Sequence, residues 1–344
     1  MSERLALAKA INAGLRRSME RDPTVLLMGE DIGALGGVFR VTEGLQQDFG
    51  PERVVDTPLA ESGIVGTAIG LAYAGYRAVC EIQFDGFVFP AYDQITTQLA
   101  KLHYRTGGAL ELPVVIRIPY GGGIGAIEHH SESPEALFAH TAGLRILSPS
   151  NAADAYTMIQ QAIASPDPVI FFEPKARYWD KDDVATSATD ADLGIAPVSG
   201  RSVLSEDGQD DLQRARLLRH GTDVTVVGYG PSVKPALAAA EVAEAEGRSI
   251  EVLDLRSISP IDFDSVAESV RRTGRLVVVH EAPIFFGAGA EIAARIGQEC
   301  FYSLEAPVHR VGGFHMPYPV SKVESHYLPN LDRILQAVDS VLAY

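Results

Sequence analysis

Two α/β domains in tandem, each on a largely parallel buried sheet, are the fold class the sequence predicts. Three observations carry this. Short β-branched runs alternate with longer amphipathic or Ala-rich segments. The alternation fades after Trp179 and starts again at Asp223. At 344 residues, with 46% hydrophobic and 22% charged side chains, the chain is long enough for about two folded domains and far from disordered or fibrous compositions.

The elements follow in order. Met1 to Asp22 spaces Leu5, Ile11, Leu15 and Met19 among charges, which predicts an amphipathic helix and lacks the apolar core of a secretory signal. Thr24–Met28, Val54–Val55, Ala78–Ile82, Val114–Ile118, Arg145–Leu147 and Val169–Phe172 read as strands. Between them, Ser62–Ala74, Ala91–Arg105 and Asn151–Ala164 read as helices, giving a first domain over residues 1–180. Residues 181–222 turn polar, with the acidic cluster Glu206 to Asp211, and read as a linker with some short structure. A second domain over 223–344 repeats the alternation: strand Asp223–Val227, helix Ser232–Glu246, strand Ser249–Leu253, helix Asp262–Arg272, strand Arg275–Val279, helix Gly287–Gln298 and a strand near Val308.

Composition also excludes. Against 29 Lys and Arg stand 45 Asp and Glu, a net charge of -16 that argues against nucleic acid or an anionic membrane as partner and leaves room for a basic protein domain. Cys80 and Cys300 are too few for a disulfide framework or a four-cysteine metal site, which favours a reducing, cytoplasmic setting. The most apolar stretch, Gly63 to Tyr76, is interrupted by Arg77 before the roughly 18 residues of a membrane span.

In open parallel sheets ligands lie beyond the carboxyl ends of the strands. Three such places stand out. After Val54–Val55, Glu61 falls at the start of the Gly/Ala-rich helix, where a carboxyl suits general acid/base work and equally suits a first helical turn. After Ala78–Ile82 come Gln83, Phe84, Phe87 and Phe89, either a flat apolar wall for a ring-shaped ligand or simply core. After Val114–Ile118 a glycine-dense loop runs to His129 and His130, which offer a proton carrier near neutral pH. Neighbouring imidazoles point in different directions and no third ligand sits at metal spacing, so no metal site is expected. The glycines also lack the G-x-G-x-x-G and G-x-x-x-x-G-K-[ST] frames of dinucleotide and phosphate loops.

Six ordered blocks then speak together: Gly29–Glu30–Asp31, Gly36 to Arg40, Asp56 to Ile64, Glu81–Ile82–Gln83–Phe84, His130 to Glu135, and His280–Glu281–Ala282–Pro283. Over nearly its whole length the chain resembles the beta subunit of the thiamine-diphosphate-dependent decarboxylase component of 2-oxo acid dehydrogenase complexes. His130 to His140 and Phe171 to Lys175 look more like the branched-chain than the pyruvate enzymes.

The resemblance implies an N-terminal domain that holds the cofactor's aminopyrimidine ring and a C-terminal domain like that of transketolases. It implies that Glu61 contacts the ring nitrogen and shares a proton with it. Leu59, Gln83 and Phe87 match positions lining the cofactor pocket, Phe87 standing where many relatives carry Tyr. His130 matches the histidine near the lipoyl entrance, where a proton donor assists acyl transfer. No Gly-Asp-Gly motif for Mg²⁺ and diphosphate occurs in the chain. Thiamine diphosphate is therefore expected to be shared with an alpha subunit that carries the Mg²⁺, in a heterotetramer of two alpha and two beta chains, inactive without alpha. A small 2-oxo acid and a lipoyl-bearing acyltransferase core complete the expected partners. Some relatives hold a structural potassium ion near the segments matching Leu112–Val115 and Ala162–Ser165, but Ser165 replaces an Asp ligand and speaks against the ion here.

Overall fold

The computed structural model describes residues 2–195 and 211–344. The chain opens with strand β1 (Glu3–Ala6) and helix α1 (Leu7–Arg21). It continues through β2 (Val25–Gly29), α2 (Leu45–Phe49), β3 (Val54–Asp56), α3 (Glu61–Tyr73), β4 (Arg77–Glu81), α4 (Ala100–Arg105) and β5 (Val114–Tyr120). Then come α5 (Glu135–Ala139), β6 (Arg145–Leu147), α6 (Ala152–Ala164), β7 (Val169–Pro174) and β8 (Lys181–Val184). The remainder holds β9 (Arg216–Arg219), β10 (Val224–Gly228), α7 (Val233–Ala245), β11 (Ile250–Asp254), β12 (Ser257–Ser259), α8 (Phe263–Thr273) and β13 (Leu276–Pro283). It ends with α9 (Ala288–Glu299), β14 (His309–Gly313), α10 (Glu324–Tyr327) and α11 (Leu331–Leu342).

Two main sheets result, with strand orders β12-β6-β7-β5-β4-β2-β3 and β14-β13-β10-β11-β9. Both are parallel except at one edge, where β12 and β9 run antiparallel to their neighbours. Their buried valines, isoleucines and leucines form near-continuous runs, as expected for strands covered on both faces. In the first domain α1 lays Leu7, Ile11, Leu15 and Met19 against α6. The two helices approach closely at Gly14, where a Cβ would come within 2.5 Å of Ile159 Cγ2. Side-chain caps fix the starts of α6 and α8: Asn151 Oδ1 accepts from Asp154 N, and Asp262 Oδ1 accepts from Ser265 N.

Two local expectations are corrected, and a third is filled in. The first residues are not helical: Glu3–Ala6 pair antiparallel with Lys181–Val184 in a separate two-stranded sheet, a tertiary partner that overrides the helical pattern. The short structure within the span read as a linker is β8 and β9, the latter pairing with β11; the cluster from Glu206 to Asp210 lies outside the described residues. The segment Asp85 to Arg105 winds without a break from a 3₁₀ start through a π turn at Gln94–Leu99 into α4, where the sequence predicted one α-helix from Ala91. Within that stretch Thr96 and Thr97 hydroxyls donate to carbonyls four residues back, a local competition with regular helical bonding.

The domains interlock rather than merely touch. β12 leaves the second domain and adds to the edge of the first domain's sheet beside β6. Gly122 and Gly123 of the glycine-dense loop donate their N–H groups to Glu281 Oε2 and Glu324 Oε1 of the second domain, both at 3.0 Å. Among the described residues no helix is long and apolar enough to cross a membrane.

Candidate active site

The chain passes from β2 outward to β3, then crosses back over β2 to β4, so the connections diverge at the carboxyl ends of β2 and β4. This is the arrangement at which open α/β sheets build crevices. Glu61 stands there as the first residue of α3, half-buried, its carboxylate accepting no hydrogen bond among the described residues. Leu59, on the same β3–α3 turn, points outward and is 83% exposed.

Glu30, the residue after β2, is buried, and its Oε1 has no partner among the described residues. Burial pushes its carboxyl up from the ordinary range, and the neighbouring negative charges of Glu61 and Asp31 push it the same way. Gln83 donates from Nε2 to the Glu30 carbonyl at 3.5 Å, joining the end of β4 to the end of β2. The sequence offered Glu30 only as one member of a resembling block. A lone carboxyl after a strand has no spacing signal, whereas a buried oxygen without a partner is conspicuous in three dimensions.

Beside Gln83 lies an aromatic wall. Phe84 and Phe87 meet edge-to-face at 5.8 Å, and the half-buried His130 ring packs on both, at 4.4 and 5.2 Å. Phe39 and Tyr178 extend the wall behind Phe84. Of the two histidines His129 is exposed and holds a left-handed φ of 68°, so the chain turns there and sends His130 inward. The structure thus brings Glu61, Gln83, Phe87 and His130 to one end of the sheet, with Leu59 at its open rim.

Under this wall run two buried ionic groups. Arg117 on β5 binds Glu173 of β7 with Nε and Nη2 at 2.5 and 3.0 Å, and Glu81 of β4 with Nη1 at 2.7 Å. Tyr178 adds its hydroxyl to Glu173. Lys175 donates to Asp85 Oδ1 at 2.6 Å, both side chains fully buried. Burial alone drives the Asp85 carboxyl up and the Lys175 ammonium down, and their mutual contact opposes both shifts.

Other motif residues lie elsewhere. His280 is a core histidine: burial lowers it to about 4, Nδ1 meets the Ala282 carbonyl at 3.0 Å, and Gly287 and Gly289 leave room for its ring. At the segment where the resemblance raised a potassium ion, the Ser165 hydroxyl is engaged with the Asp167 backbone.

Residues 3–180 match the transketolase pyrimidine binding domain, and residues 213–334 match the transketolase C-terminal domain. The chain is 59% identical over 340 residues to the pyruvate dehydrogenase E1 component subunit beta of Leifsonia xyli subsp. xyli, covering 99% of this chain and 95% of that one. It is 49% identical over 343 residues to the 3-methyl-2-oxobutanoate dehydrogenase subunit beta of Mycobacterium tuberculosis, covering 99% and 93%. A split-gene transketolase solved as an inactive beta4 tetramer shares the fold, with a TM-score of 0.74, 23% identity and 98% of each chain covered. With the domain pair and the relatives in agreement, the chain belongs to the transketolase-related family of E1 beta subunits of 2-oxo acid dehydrogenases.

Proposed function

We propose that this chain, joined to an alpha subunit as two alpha and two beta chains, forms the decarboxylase component of a branched-chain 2-oxo acid dehydrogenase and passes the acyl group to a lipoyl group of an acyltransferase core. The observation that carries the reading is Glu61 at the start of α3, without a protein partner, beside the buried and equally unpartnered oxygen of Glu30. Such a carboxyl suits a nitrogen heterocycle, so the residues fit the aminopyrimidine of thiamine diphosphate. When bound, that cofactor supplies the nucleophilic carbon and the electron sink for decarboxylation.

This chain's own residues do the rest. Glu61 holds a proton at the ring nitrogen, where Asp would fall about a bond length short and Gln has no proton to exchange. Gln83 and the Phe87 ring line the ring's seat, and Phe87 gives packing without the hydrogen bond a tyrosine would offer. Leu59, exposed on this chain, is covered once alpha closes the crevice with its Mg²⁺ and diphosphate half. His130, backed by two phenylalanines, gives a proton to the departing sulfur as the lipoyl ring opens.

The branched-chain assignment rests on the segments His130 to His140 and Phe171 to Lys175 and on the 49% relative named for 3-methyl-2-oxobutanoate. The 59% relative named for pyruvate favours the second reading, a pyruvate enzyme of the same architecture. Reconstitution with alpha decides between them. A higher kcat/KM on 3-methyl-2-oxobutanoate than on pyruvate supports the first, and the reverse order overturns it. Glu61→Ala is expected to lower decarboxylation by about 10²–10⁴-fold. Full activity in that variant reduces the chain to a scaffold.

A further inference from the structure

We infer that Asp85, held by Lys175, is a positioning residue for His130; the inference rests on the reading of His130 as the proton donor in acyl transfer. Asp85 and Lys175 are both 0% exposed, and their ion pair lies directly beneath the aromatic wall. A buried pair rarely adds stability over apolar residues of the same shape, so what distinguishes this one is what its remaining atoms hold. Asp85 uses its second oxygen, Oδ2, to accept the backbone N–H of Glu132 at 2.8 Å. The next residue, Gly86, donates its N–H to the His129 carbonyl at 3.2 Å. His130 is therefore fastened by the backbone on both sides, at 129 and at 132, to two consecutive residues of the segment after β4.

Three further contacts make the fastening directional. A Cβ on Gly86 would lie 2.4 Å from His129 Cα, so the two backbones touch and leave no slack. Lys175 also donates to the Pro119 carbonyl at 3.3 Å, tying the end of β5 to the same point. Its ammonium lies 5.7 Å from the centre of the Phe84 ring, whose neighbour at 4.4 Å is the His130 ring itself. The imidazole thus owes its place to one carboxylate that binds a cation with one oxygen and the histidine loop with the other. Asp85 touches no reacting atom in this scheme; it acts through His130.

The test is a double-mutant cycle in the reconstituted alpha–beta assembly, with the lipoylated domain of the acyltransferase as acyl acceptor. Asp85→Asn is expected to lower kcat for lipoyl acylation by about 10- to 100-fold, the effect of misplacing a proton donor by about an ångström, with KM for the lipoyl domain moving less. In a His130→Asn background the same change is expected to cost nothing further. Independently of cofactor, amide hydrogen exchange over residues 129–132 in Asp85→Asn is expected to quicken about tenfold. Should Asp85→Asn fail to assemble, Asp85→Glu keeps the charge against Lys175 and carries the same cycle. Equal losses in the wild-type and His130→Asn backgrounds, or unchanged exchange at 129–132, overturn the inference. Undiminished acylation in His130→Asn alone overturns the underlying reading of His130 instead.

Discussion

Tyr229, just after β10 in the second domain, donates its hydroxyl to Glu135 Oε1 on α5 of the first domain at 2.6 Å. Both side chains are buried, and the other carboxyl oxygen of Glu135 has no partner among the described residues. A carboxyl desolvated in this way, with Glu281 and Asp85 as further negative neighbours, is pushed up to about 7. The domain boundary thus holds an acid that is protonated where its unfolded counterpart is ionised.

The sign of the resulting pH dependence follows. Because the folded value lies above the ordinary 4.5, Glu135 favours folding below that value, and its contribution is lost as pH rises towards about 7. Glu135→Gln removes the titration. Relative to the parent, the variant is expected to gain about 3 kcal/mol between pH 4.5 and 7.5, since each pKa unit corresponds to about 1.4 kcal/mol. Melting temperatures of both chains at the two pH values measure this; a constant difference between them refutes it.

Arg117 is the cation on which β4, β5 and β7 converge beneath the aromatic wall. Arg117→Met leaves Glu81 and Glu173 buried without their partner and is expected to destabilise the chain by about 3–5 kcal/mol. Replacing both glutamates by Gln in the same variant is expected to return most of that loss, because the destabilisation comes from uncompensated charge rather than lost volume. Arg117→Lys should not rescue, since a point charge cannot reproduce the two-pronged contact to Glu173. Thermal melts of the parent and the three variants give the answer.

How much of this was legible in the sequence depends on range. The repeated alternation of β-branched and amphipathic segments carried the two-domain architecture, and Glu61 was legible as a carboxyl placed between a strand and a helix. What escaped is what tertiary contact alone creates. Ser257–Ser259 has no strand pattern and becomes one only because the edge strand β6 offers a partner. Asp85 and Lys175 are 90 residues apart, and neither has a local signal of being buried. Glu30 and Asp85 became visible only once their surroundings had excluded water.

Gly122 offers a test of the grip between the domains. Its N–H donates to Glu281 at 3.0 Å, and a Cβ there would lie 1.8 Å from the hydroxyl oxygen of Tyr318, which itself donates to Glu324 at 2.7 Å. Gly122→Ala must displace Tyr318 and break that bond. The expected loss is about 1–3 kcal/mol, read as a lower melting temperature. Adding Tyr318→Phe, which removes the clashing oxygen, is expected to make the alanine better tolerated; an equal loss in both backgrounds would mean that the backbone, not the hydroxyl, resists.

Gly86 is a more stringent position than Gly122, because its obstacle is backbone. An added Cβ would meet the His129 Cα at 2.4 Å and its carbonyl oxygen at 2.7 Å, and neither can rotate away. The φ of 68° at His129 leaves little freedom to yield, since a non-glycine residue is already in a sparsely populated region there. Gly86→Ala is therefore expected to cost at least about 1–3 kcal/mol and to push the 129–132 segment off the aromatic wall. His129→Gly, which relieves the strained φ while keeping the carbonyl that Gly86 binds, should recover part of the stability but not the placement of His130. Melting temperature and lipoyl acylation, measured side by side on the single and double variants, separate the two effects: recovery of both together would show that His130 never depended on the contact with Gly86.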